Sequence, residues 1–260
     1  MDKNVEFKIV KDHIGLITLN REKAANSLSK SLLTELNLVI SKINEHSKIN
    51  CVIITGKGDR VFSAGADLKE RESMKDDEVI EAVSFIGETI KNVEKIKVPV
   101  IAALNGSAFG GGLELALACD IRIGKENISL GLTEASLAII PGAGGTQRLT
   151  RLIGIGKAKA MIFSSERITA NQAHEYGILE AVYSEEDFLN QVITYAEKII
   201  KNGPLALKLA KQAINEGINL SLEDSLKLEH ELYKQTIPSE DRKEGLKAFK
   251  EKRKPEYKGS

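Results

Sequence analysis

The chain of 260 residues has no tryptophan, only two cysteines and five prolines, and an aromatic content of 5%. Two cysteines, Cys51 and Cys119, far apart in sequence, cannot build a disulfide framework. Both sit in apolar runs, which predicts buried free thiols, a reducing compartment and a cytoplasmic location. The four histidines, His13, His46, His174 and His230, are scattered with no zinc-ligand spacing, so no metal is expected. Net charge is absent as well: 37 basic residues face 37 acidic ones, leaving no global field to attract nucleic acid or an anionic membrane. No basic, aromatic-studded sheet is legible, so an RNA-binding or scaffolding protein is the less favoured class. The opening MDKNVEFKIV lacks the apolar core of a secretion signal, and no run approaches the length of a membrane span. Neither a Walker A loop, a G-x-G-x-x-G turn nor a G-x-S-x-G elbow occurs.

What is there reads as a globular α/β chain, 42% hydrophobic and 28% charged. Alternating and short apolar runs predict strands at Val5–Val10, Ile14–Leu19, Cys51–Thr55, Pro99–Leu104, Asp120–Ile123, Ile128–Gly131 and Ile178–Tyr183. Leu32, Leu33, Leu36, Val39, Ile40 and Ile43 recur at helical spacing behind Ser29, a good N-cap, and predict a helix to about Glu45. A second helix is expected over Glu78–Lys95, after a charged, mobile stretch at Lys69–Asp77. Short helices follow at Lys157–Phe163 and Ala170–Tyr176. Beyond Ser184 only helical periodicity remains, at Asp187–Lys201, Pro204–Glu216, Leu222–Thr236 and Glu240–Lys252. Strand–strand–helix units followed by a helical tail indicate α/β layers with a core over residues 1–200 and a helical region over 201–260.

The densest chemistry lies between Asn105 and Gln147. Gly110-Gly111-Gly112 leads into the helix-favouring run Leu113–Cys119, and glycine in this density needs a reason, a tight turn or a close approach of backbone. A helix opened by such a turn presents free N–H groups and a positive dipole end. Glu114 sits in its first turn, either as a partner of the helix terminus or as a working acid or base. A second carboxylate, Glu134, lies in the apolar stretch GLTEASLAII, ahead of the second cluster Pro141-Gly142-Ala143-Gly144-Gly145.

NG-x-AFGGGLELALACDIRI, then GLTEASLAIIPGAGGTQRL, resembles the enoyl-CoA hydratase (crotonase) family, as does the upstream loop Phe62-Ser63-Ala64-Gly65-Ala66-Asp67-Leu68-Lys69. The resemblance runs from Ile17 to Lys254. It implies a crotonase-type spiral of ββα units with a C-terminal helical trimerisation region, assembled as homotrimers or as hexamers that are dimers of trimers. It implies an acyl-CoA thioester as substrate, with coenzyme A part of that substrate and no separate cofactor. The backbone N–H groups of Ala66 and Gly111 match the family's oxyanion hole, and Glu114 and Glu134 its two catalytic glutamates. In that reading Glu114 helps activate water, Glu134 delivers a proton to the α-carbon, and the backbone of Gly142 helps hold the water. Ala64, Asp67, Leu68 and Lys69 fall in the CoA-binding loop, and Phe249 and Lys252 match positions that reach the CoA of a neighbouring subunit. Many relatives carry proline before the second glutamate, where this chain has Thr133, an exchange expected to loosen the loop or reshape the acyl pocket. Methylglutaconyl-CoA hydration and double-bond isomerisation are the alternatives within the fold.

Overall fold

The computed structural model describes residues 3–46 and 48–260; Met1 and Asp2, which open the stretch searched for a leader, lie outside it. Ten strands run in chain order as β1 (Val5–Val10), β2 (Ile14–Leu19), β3 (Cys51–Gly56), β4 (Val61–Ser63), β5 (Val100–Leu104), β6 (Ser107–Phe109), β7 (Ile121–Lys125), β8 (Ser129–Gly131), β9 (Ile168–Thr169) and β10 (Ala181–Tyr183). The helices of the core are α1 (Lys30–Glu45), α2 (Leu68–Arg71), α3 (Asp76–Glu94), α4 (Gly111–Leu117), α5 (Gly145–Ile153), α6 (Ile155–Ser164), α7 (Ala170–Glu175) and α8 (Phe188–Ile200). The tail adds α9 (Pro204–Gly217), α10 (Leu222–Thr236) and α11 (Glu240–Glu251).

The strands divide between two sheets. The larger has the order β1-β2-β3-β5-β7-β10, the smaller β4-β6-β8-β9. Each successive unit places one long strand in the first sheet, one short strand in the second, and then a helix: β3-β4 before α2 and α3, β5-β6 before α4, β7-β8 before α5. These are the ββα turns of a spiral.

The central strands β3 and β5 are buried at every residue, as expected of parallel strands covered on both faces. Alternate residues feed two cores. Val52 and Ile54 face the main core with Leu32, Leu36 and Ile90, while Ile14, Cys51 and Ile53 face a smaller one built with Phe188, Val192 and Ala196 of α8. Ser29 caps α1 by accepting the Leu32 N–H at 3.2 Å, which fixes the start of the helix whose buried stripe is Leu32, Leu33, Leu36, Ile40 and Ile43. Asn105, buried between β5 and β6, accepts the Gly56 N–H at 2.9 Å and donates to the Gly56 and Gly58 carbonyls at 2.9 and 2.7 Å, tying one spiral turn to the preceding one.

Both cysteines are buried free thiols, pushed up to about 12 by burial and by the nearby Asp120 charge, and so chemically inert. Among the described residues no helix is long and apolar enough to cross a membrane. The structure corrects the sequence reading in two places and adds an element in a third. The charged stretch 69–77, expected to be mobile, holds most of α2 and the first two residues of α3. The second glycine cluster opens a helix, α5, just as the first opens α4. The run at 178–183 is a strand only over Ala181–Tyr183.

Candidate active site

Three neighbouring strands of the small sheet deliver the site at their C-terminal ends. β4 pairs in parallel with β6, Ser63 opposite Ala108, and β6 pairs in parallel with β8, Ala108 opposite Leu130. Ala66 lies three residues beyond Ser63, and Gly111 lies three beyond Ala108. Their N–H groups emerge just beyond the ends of adjacent strands, whose register slips by one residue between Val61 and Ser63. Parallel neighbours lie about 4.8 Å apart, which suits two donors converging on one oxygen at ~2.9 Å each. Glu134 follows from β8, the third strand.

Close packing brings the two donors together. A Cβ on Gly65 would stand 2.8 Å from the Gly111 nitrogen, and a Cβ on Gly111 would stand 3.5 Å from the Ala66 nitrogen. Gly65 has φ +87° and Gly110 φ +50°, so these turns need glycine both for conformation and for space. Neither the Ala66 nor the Gly111 N–H donates to another atom among the described residues. From the opposite side Leu28 pins the loop, its N–H donating to the Gly65 carbonyl at 2.8 Å.

Asp67 takes a positioning part. Its carboxylate accepts from Arg21 at 2.8 Å and from the Ser27 hydroxyl at 3.1 Å, and it caps α2 through the Lys69 and Glu70 N–H groups. Burial opposes ionisation there, but the hydrogen bonds from Arg21, Ser27 and Glu70 outweigh it and hold the carboxyl below its usual range. Ala64, Leu68 and Lys69 are exposed around it.

Glu114 is 3% exposed. Its Oε1 accepts the Ala143 N–H at 2.8 Å and the Gly145 N–H at 2.7 Å. The glycine cluster thus turns its backbone donors onto the carboxylate, a contact the sequence reading did not contain. Burial raises Glu114 above the ordinary carboxyl range, while those two N–H groups, and Arg148 and Arg71 at longer range, favour its charged form. Gly142 immediately precedes these loop residues, packed against α3; a Cβ there would strike Val83 at 2.7 Å.

Glu134 contrasts with it. Its Oε2 is buried without a hydrogen-bond partner among the described residues. Its carboxylate closes on the glycine turn, since a Cβ on Gly110 would lie 3.1 Å from Oε1. Burial raises Glu134 to about 7, aided by the charge of Glu114 and opposed by its own backbone N–H and by Arg71. Thr133 does not leave the turn slack. The Ser136 hydroxyl donates to the Thr133 carbonyl at 2.7 Å, and the Ser136 N–H reaches the Ser165 hydroxyl at 3.0 Å. Thr133 adopts φ −98°, outside the narrow range of proline.

Two carboxylates in unlike environments, beside two free N–H groups, suit proton transfer to and from a carbon next to a carbonyl. Phe249 and Lys252 stand apart from this arrangement within one chain. Phe249 is 86% exposed on α11, with Leu246 beside it also exposed, and Lys252 ends that helix at φ +54°.

The sequence model of the enoyl-CoA hydratase/isomerase family matches residues 10–260. The chain is 52% identical over 259 residues to YngF of Bacillus subtilis (strain 168), whose name assigns it provisionally to the same hydratase/isomerase group, with 100% of each chain covered. It is 43% identical over 250 residues to the mitochondrial methylglutaconyl-CoA hydratase of Homo sapiens, covering 95% of this chain and 74% of that protein. The crystal structure of an enoyl-CoA hydratase from Bacillus anthracis superposes with a TM-score of 0.97 at 52% identity, over 99% of this chain and 100% of that one.

Proposed function

The chain belongs to the enoyl-CoA hydratase/isomerase family, and from that premise we propose that it adds water across the double bond of a 2-enoyl-CoA thioester. The observation that carries this reading is the convergence of Glu114 and Glu134 beside the unengaged N–H groups of Ala66 and Gly111. The thioester oxygen binds between the two N–H groups. Hydroxide equivalent adds at the β-carbon, negative charge moves to that oxygen, and the fixed donors stabilise it without reorganisation. Glu114, held toward its charged form by the Ala143 and Gly145 N–H groups, takes the proton from water. Glu134, with its carboxyl near 7, carries the proton that goes to the α-carbon. The backbone of Gly142, on the loop that supplies the Glu114 contacts, is placed to help hold the water.

The chemistry requires no metal or redox group, and coenzyme A enters as part of the substrate. Two acid/base carboxylates favour hydration over isomerisation, for which a single shuttle suffices. Phe249 and Lys252, exposed on α11, serve best as a contact reaching a neighbouring subunit, with the chain working as a trimer or a pair of trimers. The test is loss of conjugated-thioester absorbance on adding the protein to crotonyl-CoA, with 3-hydroxyacyl-CoA identified as product. A shift of the double bond without uptake of water would replace hydration by isomerisation.

A further inference from the structure

The turn that holds Glu114 is itself held from behind. It runs from Ala143 to Gly145 and gives two N–H groups to Glu114 Oε1, at 2.8 and 2.7 Å. Its middle residue, Gly144, has φ +106°, a conformation that glycine permits without enforcing. Something else must select it.

Arg148 of α5 grips both carbonyls of this turn. Its own N–H donates to the Gly144 carbonyl at 2.8 Å, and its Nη1 reaches back to the Ala143 carbonyl at 3.0 Å. The guanidinium lies so close to Gly144 that a Cβ there would stand 2.1 Å from Nη1. The other two nitrogens face Glu94, the last residue of α3: Nε donates to Oε1 at 3.1 Å and Nη2 to Oε2 at 2.9 Å. In this fork-to-fork pairing each partner fixes the plane of the other as well as its distance. A lysine could neutralise Glu94 or reach Ala143, but it has no rigid plane with which to do both. With side-chain exposures of 20% and 42%, the pair is partly screened by water, so its worth lies more in geometry than in charge.

We propose that Arg148, oriented by Glu94, is a positioning residue for Glu114: the pair keeps the Ala143–Gly145 turn in the shape that aims both N–H groups at the carboxylate. This rests on the hydratase reading, in which Glu114 takes the proton from water. Arg71 of α2 and Glu134 beyond β8 also face Glu114 electrostatically. β4 and β6 bring no charge to it, and Arg151 of α5 and the remaining charged residues of α3 are exposed.

Arg148 also favours ionised Glu114 directly through its field, and the sign of one substitution separates grip from charge. Glu94→Ala keeps the Arg148 cation, removes a negative charge and suits a helix end. By field alone, Glu114 would ionise more readily and the acid limb of kcat/KM would move to lower pH. By loss of grip, the two N–H groups slacken and the acid limb moves to higher pH.

The experiment is the pH profile of crotonyl-CoA hydration by wild type, Glu94→Ala, Arg148→Gln and Arg148→Lys. Glu94→Ala and Arg148→Gln should lower kcat by about 10- to 100-fold, the worth of hydrogen bonds to a charged group, with KM within about twofold. Both should raise the acid limb by about half a pH unit or more. Arg148→Lys, which keeps the charge but not the fork, should show the same shift in smaller measure. An acid limb that falls in Glu94→Ala, or that Arg148→Lys restores to wild type, overturns the proposal, because charge then suffices. An acid limb unmoved in all three variants also overturns it and leaves the pair as a fastening of α3 to α5. Absence of hydration by the wild-type protein overturns the hydratase reading and this inference with it.

Discussion

Replacing Glu134 by glutamine should make the protein more stable relative to wild type as pH rises, although it removes a proposed catalytic group. In the folded chain Glu134 is raised from its ordinary 4.5 to about 7. Between those values the folded state binds a proton that the unfolded state has released, so wild-type stability falls as pH rises through that window. The displacement corresponds to about 3.4 kcal/mol at 1.36 kcal/mol per pH unit. Glu134 is only half-buried, and solvent screening reduces this to about 1.5 kcal/mol. Glutamine carries no charge at any pH, and its unpaired amide adds an offset that does not depend on pH. Urea unfolding of both proteins from pH 4 to 9 should therefore give a difference that grows in favour of Glu134→Gln between about 4.5 and 7 and is flat above. A difference independent of pH, or one that grows in the opposite direction, would refute the claim that burial and the Glu114 charge hold the proton on Glu134.

Three further outcomes are expected. Glu114→Gln and Glu134→Gln should each lower kcat by roughly 10²- to 10⁴-fold with little change in CoA-thioester affinity; near-wild-type turnover by either removes its acid/base role. Gly112→Ala would place a methyl 2.1 Å from the Ser63 carbonyl, forcing α4 away from β4, so its urea midpoint should drop by the equivalent of about 1–3 kcal/mol or more. Lys252→Ala should raise KM for CoA thioesters roughly two- to fivefold at low salt, leave kcat nearly unchanged, and approach wild type as salt rises. A wild-type KM at low salt would make Lys252 a solubilising residue.

Legibility followed the range of the interactions involved. α1 was readable because a capping serine and an apolar stripe are local signals, α10 through its helical periodicity, and β3 stood out because both its faces are buried. β4 and β6 have three residues each, too few to show alternation, and exist because Gly106 and Gly112 let backbones meet. α5, reading GTQRLTRLI, is mostly polar and was hidden behind its glycines. At the site, the residue types were legible through the glycine-rich resemblance. The N–H groups of Ala143 and Gly145 on Glu114 were not, since they join positions 29 and 31 residues apart through backbone atoms that every residue possesses.

The parallel pairing of β4 with β6 separates two design variables. The Ala66 and Gly111 donors are held by the close-packed glycine turns that follow β4 and β6, apart from α3. A cavity of about 360 Å³ beside them is lined largely by α2, α3 and residues at the start of α1. Exchanges at Met74 or Phe85 can therefore reshape that cavity while leaving the donor pair in place. A spiral of this kind behaves as a socket with a fixed contact and an exchangeable rim.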